Sequence, residues 1–131
     1  MNQQLAHITI LVDDYDKAIA FYTKKLFFDL IEDTKLSESK RWVLVRPKGT
    51  STCSLLFAKA TNEEQISRIG NQTGGRVFLF LYTDDIKRDY QNLLNHHITI
   101  VEEPSVKPHG TVLVFEDCFG NKWDLIEVTS A

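Results

Sequence analysis

The sequence has little that could staple the chain, anchor it or give it a strong charge. Only two cysteines occur, Cys53 and Cys118, far apart and without a CxxC pairing, so neither a zinc knuckle nor a disulfide framework is suggested. Both read as free thiols in a reducing compartment, and the expected location is the cytoplasm. Basic residues give no excess either. The net charge is −3 and no basic stripe exists to displace counterions, so nucleic acid is not an expected partner. Long apolar runs are missing: VFLFLY is far shorter than the roughly 20 residues that cross a bilayer, so no membrane partner is expected. The opening MNQQLAH lacks the basic start and apolar stretch of a signal peptide. GxSxG, P-loop and GxGxxG patterns are all absent, which leaves serine hydrolase, nucleotide triphosphatase and dinucleotide chemistries without their required loops.

What is present suits one soluble domain. A chain of 131 residues with 43% hydrophobic content can bury a core without staples, so residues 1–131 are expected to form a single domain. Residues 5–12 alternate as a strand, with Ile8, Ile10 and Val12 on one face and His7, Thr9 and Leu11 on the other. Asp13 or Asp14 can cap a helix in which Tyr15, Ile19, Tyr22 and Leu26 form an apolar stripe. FFDLIED, RWVLVRP and CSLLFAKA then read as three strands. The same order recurs after a polar, Gly-rich connector, TNEEQISRIGNQTGG, with one short helix expected at 63–69. GGRVFLFLYTDDIKRDYQNLLNHHITIVEE supplies strand, capped helix and strand, and GTVLVFED and NKWDLIEV add two more strands around a turn at Gly120 and Asn121. An offset of 71 (84 − 13) superimposes the two acidic caps and the two helical stripes. The chain therefore reads as a duplication, with modules at about 1–60 and 75–131 and helices over 14–26 and 84–96.

Three stretches carry a family resemblance: AHITILVDDYDKAIAFYTKKLFFDL, GGRVFLFLYTDD and VFEDCFGNKWDLIEV. They resemble the vicinal oxygen chelate superfamily, which groups glyoxalases, bleomycin resistance proteins and extradiol dioxygenases. The pattern D-x-x-GN-x-WDLIE from Asp117 to Glu127 is the most specific of the three. The resemblance implies an α+β fold of paired βαβββ modules forming a curved mixed sheet, a cup for the ligand, and a homodimer. It says little about the reaction, because one fold hosts many chemistries.

In metal-dependent members, the resemblance implies ligands from the first and last strand of each module. Those positions fall on His7, Ser54, Phe78 (by the offset of 71) and Asp124. A divalent ion needs about three or four good protein donors, and here only His7 and Asp124 qualify. No metal or other cofactor is therefore expected, although Tyr82, His109 or Glu127 could supply a rescuing donor from elsewhere. The resemblance also implies that His7 and Asp124 face one cup, where they could form a hydrogen-bonded pair. Trp42, Phe57, Phe78 and Trp123 are strand aromatics, which serve either as core or as the wall of an apolar cup. Arg41, Arg46 and Arg76 fit an anionic ligand at the rim or a solvated face, and His96 and His97 fit the surface end of a helix. The expected function is binding of a small organic molecule in a metal-free cup lined by His7, Trp42, Ser54, Phe57, Phe78 and Asp124. A metal-dependent lyase acting on a hemithioacetal, or a thiol transferase acting on an antibiotic, is the enzymatic alternative. A homodimer with a filled cup is the third.

Overall fold

The computed structural model describes residues 1–49 and 52–128. The chain divides into two compact units, Met1–Ile69 and Gly70–Ala131. In the first unit, β1 (His7–Val12), α1 (Tyr15–Ala20), β2 (Asp29–Lys35), β3 (Arg41–Arg46) and β4 (Ser54–Lys59) are followed by a short helix, α2 (Glu63–Arg68). The second unit runs β5 (Leu79–Tyr82), α3 (Ile86–Asn95), β6 (Ile100–Lys107), β7 (Gly110–Glu116) and β8 (Lys122–Val128). Each unit is thus a βαβββ module. The sheet orders are β1-β4-β3-β2 and β5-β8-β7-β6, with the first and last strand of each module parallel and the others antiparallel. The two halves have the same topology, as the repeated element order predicts.

The helices start alike. Asp14 and Asp85 are the N-caps, and their carboxylates accept from the backbone N–H groups of Lys17 (3.1 Å) and Arg88 (3.0 Å). Such a cap satisfies one of the donors that the first helical turn leaves unpaired. The helices also end alike. Phe27 and His97 both take left-handed backbone (φ 60° and 56°), and the next residues, Phe28 and Ile98, are buried. Phe28 N–H then donates to Tyr22 O, and Ile98 N–H to Leu93 O, closing each helix back on its last turn.

Between cap and closure the modules differ by one residue, since 27 − 14 is 13 and 97 − 85 is 12. The first module absorbs the extra residue in a π-helical turn over Phe21–Lys25, where Leu26 N–H reaches Phe21 O at 3.2 Å. The expected helix over 14–26 is therefore α1 plus this turn, and the expected 84–96 is α3.

Each sheet packs its helix on one face. In the first unit α1 packs on β3 and β4. Tyr22, Phe28 and Phe57 form an aromatic cluster there, with ring centroids 5.5 and 5.4 Å from that of Tyr22, beside fully buried Ile10, Val12, Val43 and Val45. In the second unit α3 packs on β8, burying Ile86 and Leu93, and Phe115 stacks on Trp123 with centroids 6.0 Å apart. The Glu127 carboxylate accepts from Ile86 N–H at the start of α3 (3.0 Å), so Trp123, Leu125 and Glu127 share the helix-facing side of β8.

The turn between β7 and β8 explains the D-x-x-GN pattern. The Asp117 carboxylate accepts from Phe119 N–H, Asn121 N–H and the Asn121 side-chain amide at 2.8–2.9 Å, and both Asp117 and Asn121 are buried. Gly120 sits at φ 98°, where a side chain would be strained.

Candidate functional site

The faces turned away from the helices carry the remaining chemistry, and strand register determines which residues share them. In the first unit His7 pairs with Ser54, so His7, Thr9 and Leu11 lie beside Ser54, Leu56 and Ala58. Trp42 is on the same face, and its ring meets His7 edge-on with centroids 6.0 Å apart. Ser54 is buried while His7 is exposed.

Phe57 is a correction. It was expected in the cup with Ser54, yet it lies three positions further along the same strand and so on the opposite face. There it packs on Tyr22 in the helix-side core with 1% exposure.

In the second unit Asp124 and Ile126 point away from α3, because Trp123, Leu125 and Glu127 point toward it. Their partners on β5 are Phe80 and Tyr82, whose rings are 64% and 72% exposed. Val114 and Glu102 continue the row through β7 and β6.

Asp124 is the unusual member of this row. Its Oδ1 is shielded from solvent and has no hydrogen-bond partner. Burial holds the carboxyl above the ordinary aspartate range, the charge of Glu102 adds to the shift, and His109 opposes it. An acceptor out of water with no donor carries an uncompensated desolvation cost, which a ligand N–H or O–H would offset.

Phe78 is the second correction. It was expected across from the last-strand ligand position, but the residue paired with Asp124 is Phe80. The offset between modules is 73 at this strand (80 − 7), 71 at the helix caps (85 − 14) and 70 at the last strand (124 − 54). A single offset therefore misplaces the strand by two residues. Phe78 instead lies before the start of β5, its N–H donating to Lys122 O at 2.8 Å. The alternation within VFLFLY was the available signal, since it already places Phe78, Phe80 and Tyr82 on one face.

The correction does not improve the donor set for a metal. His7 faces Ser54, a weak neutral donor, and Asp124 faces Phe80, which cannot coordinate. Of the rescuing residues, Glu127 is engaged at the N-terminus of α3, while Tyr82 and His109 are exposed. Among the described residues, no group of three or more His, Cys, Asp or Glu side chains could hold an ion. The residues present do not fit the divalent metal of the fold's chelating enzymes.

Residues 4–125 match the model of the Glyoxalase/Bleomycin resistance protein/Dioxygenase superfamily. The chain belongs to that superfamily. A protein of Shewanella frigidimarina (strain NCIMB 400) is 54% identical over 129 residues, covering 98% of this chain and 96% of the relative. Among solved structures, UcmS2 is similar with a TM-score of 0.84 and 32% identity, covering 97% of this chain and 99% of that one. TnmS3, an antibiotic binding protein from Streptomyces sp. CB03234, is similar with a TM-score of 0.78 and 26% identity, covering 98% of each chain. No helix among the described residues is long and apolar enough to cross a membrane.

Proposed function

We propose that the protein is a metal-independent binder of a small organic molecule, held on the face of the second unit that carries Phe80, Tyr82 and Asp124. The observation that carries this reading is the Asp124 Oδ1 atom, out of water and without a donor, in a row with uncovered aromatic rings. Flat apolar groups are favoured against such rings, and one N–H or O–H directed at the carboxylate would fix their orientation. The matching ligand is therefore a planar aromatic molecule bearing a hydrogen-bond donor. That TnmS3 is an antibiotic binding protein supports a small-molecule reading. The donor set argues against the metal-dependent lyase or transferase, which would need a second strong ligand across from Asp124.

Assembly as a homodimer is part of the proposal. Each four-stranded sheet ends in edge strands, and exposed Leu30 and Ile31 on β2 and Val106 on β6 are the kind of surface that pairing protects. Light scattering is expected to report twice the 15.1 kDa chain mass, and a monomer at micromolar concentration would contradict it.

Thermal-shift titration with bleomycin and with proflavine, a planar aromatic amine, tests the binding reading. At about 100 times its dissociation constant, a ligand adds about 2.7 kcal/mol to stability. At least one probe is expected to raise the midpoint, and Asp124→Asn or Phe80→Ala is expected to weaken its binding about tenfold. Equal affinity for the wild type and both variants would remove this face from the account.

A further inference from the structure

A second polar site lies in the same unit, on segments that the ligand face does not use. The connector from Gly70 to Arg76 and the β7–β8 turn together line a partly open cavity of about 20 Å³, with Gln72, Phe78, Asn121 and Lys122 among its lining residues. Two of its lining residues each have a buried side-chain atom with no hydrogen-bond partner: Gln72 Nε2, a donor, and Asn121 Oδ1, an acceptor. We propose that this cavity is a built site for one water molecule, which accepts from Gln72 Nε2 and donates to Asn121 Oδ1.

The size fits, since one water needs roughly 10–15 Å³ of such space and gains by bonding to buried polar groups that otherwise go unpaired. Chemistry narrows the occupant further. Asn121 Nδ2 donates to Asp117 Oδ2 at 2.8 Å, and turning the amide over would set two acceptors against each other. Asn121 Oδ1 is thereby fixed as the unpaired atom of its amide, an acceptor that would repel a small anion. A small cation would meet Lys122, Arg76 and the Gln72 amide hydrogens. Water is the small species that both accepts and donates.

The water completes a joint whose other contacts are direct. Gly70, at φ +71°, passes so close to the turn that a Cβ there would lie 1.9 Å from Phe119 O. Lys122 Nζ donates to Gly75 O at 3.1 Å. The Asn of the D-x-x-GN pattern thus has two roles: its amide nitrogen holds Asp117, and its oxygen holds the connector through the water.

A high-resolution crystal structure of the full chain, with water–amide NOE measurements in solution, tests the site. One ordered water within hydrogen-bond distance of both Gln72 Nε2 and Asn121 Oδ1 is expected, with an NOE to the Gln72 side-chain amide. Gln72→Met keeps the side-chain length but removes the donor, and is expected to lower the melting midpoint by about 2–5 °C. A direct Gln72–Asn121 hydrogen bond, an ion in the cavity, or no ordered water there would overturn the proposal. So would a Gln72→Met protein that melts like the wild type, which would show that the water does not bridge.

Discussion

The two modules share a topology, an acidic N-cap and a left-handed helix closure, yet the faces turned away from their helices have little in common. The first module places an exposed His7 against Trp42 and opposite a buried Ser54. The second places a half-buried carboxylate opposite an exposed phenylalanine and beside an exposed tyrosine. Residues that build the fold are alike in kind in both halves, because caps, buried stripes and ladder pairing tolerate few alternatives. The opposite faces carry different side chains around their buried residues, Leu44 and Ser54 in the first unit and Val114 and Ile126 in the second. The comparison teaches that, in this chain, the symmetry belongs to the scaffold and the asymmetry to the candidate site.

The comparison is broken most forcefully through two aromatic strand residues. Phe57→Ala removes a ring packed on Tyr22 in the core of the first unit, and a loss of about 3–5 kcal/mol is expected by denaturant unfolding. Phe80→Ala, on the exposed face of the second unit, is expected to change stability by about 0.5 kcal/mol or less. Similar costs for the two would mean that the faces are not divided into scaffold and site.

Asp124 sharpens the comparison through pH. Its folded carboxyl binds a proton more tightly than the unfolded one, whose ordinary value is 3.8. Below that value both states are protonated and the group is neutral toward stability. As pH rises from there through the folded value the unfolded state ionises first, and a penalty on folding accumulates that is complete above the folded pKa. Asp124→Asn is therefore expected to raise the melting midpoint at neutral pH, and to leave it nearly unchanged in acid below the ordinary carboxylate range. A variant less stable than wild type at neutral pH would show that Asp124 has a donor after all.

The smallest expected effect tests the shared helix closure. His97 holds left-handed backbone that glycine adopts without strain, so His97→Gly is expected to stabilise by about 0.5–1 kcal/mol. Phe27→Gly removes the same strain in the first module, but it also uncovers whatever the half-exposed ring protects. A smaller gain is expected there, and paired urea titrations would measure the difference.

Much of the architecture was legible in the sequence because it depends on local patterns. Asp14 and Asp85 announce their helices, and the doubled element order predicts the doubled topology. The site was legible in part. Asp124 stands out through the motif around it, and His7, Ser54 and Trp42 do share a face. Strand alternation alone separates Phe57 from Ser54 and puts its ring on Tyr22 in the core. A single offset of 71 points to Phe78, whereas the strand pairing puts Phe80 opposite Asp124. Insertions of one or two residues, such as the one in the π-helical turn, leave hydrophobic patterning intact while shifting register, so periodicity does not reveal them. The burial of one oxygen of Asp124 depends on neighbours from other strands, and no sequence window contains that information.

Amide chemical-shift mapping of the isotopically labelled protein, titrated with whichever of bleomycin or proflavine raises the melting midpoint, tests the central claim most directly. The account predicts saturable shifts concentrated at Phe80, Tyr82, Val114 and Asp124, greatly reduced in Asp124→Asn. Shifts concentrated on the acidic surface of the first unit around Asp13, Asp16 and Asp33, or a pattern unchanged by Asp124→Asn, would contradict it.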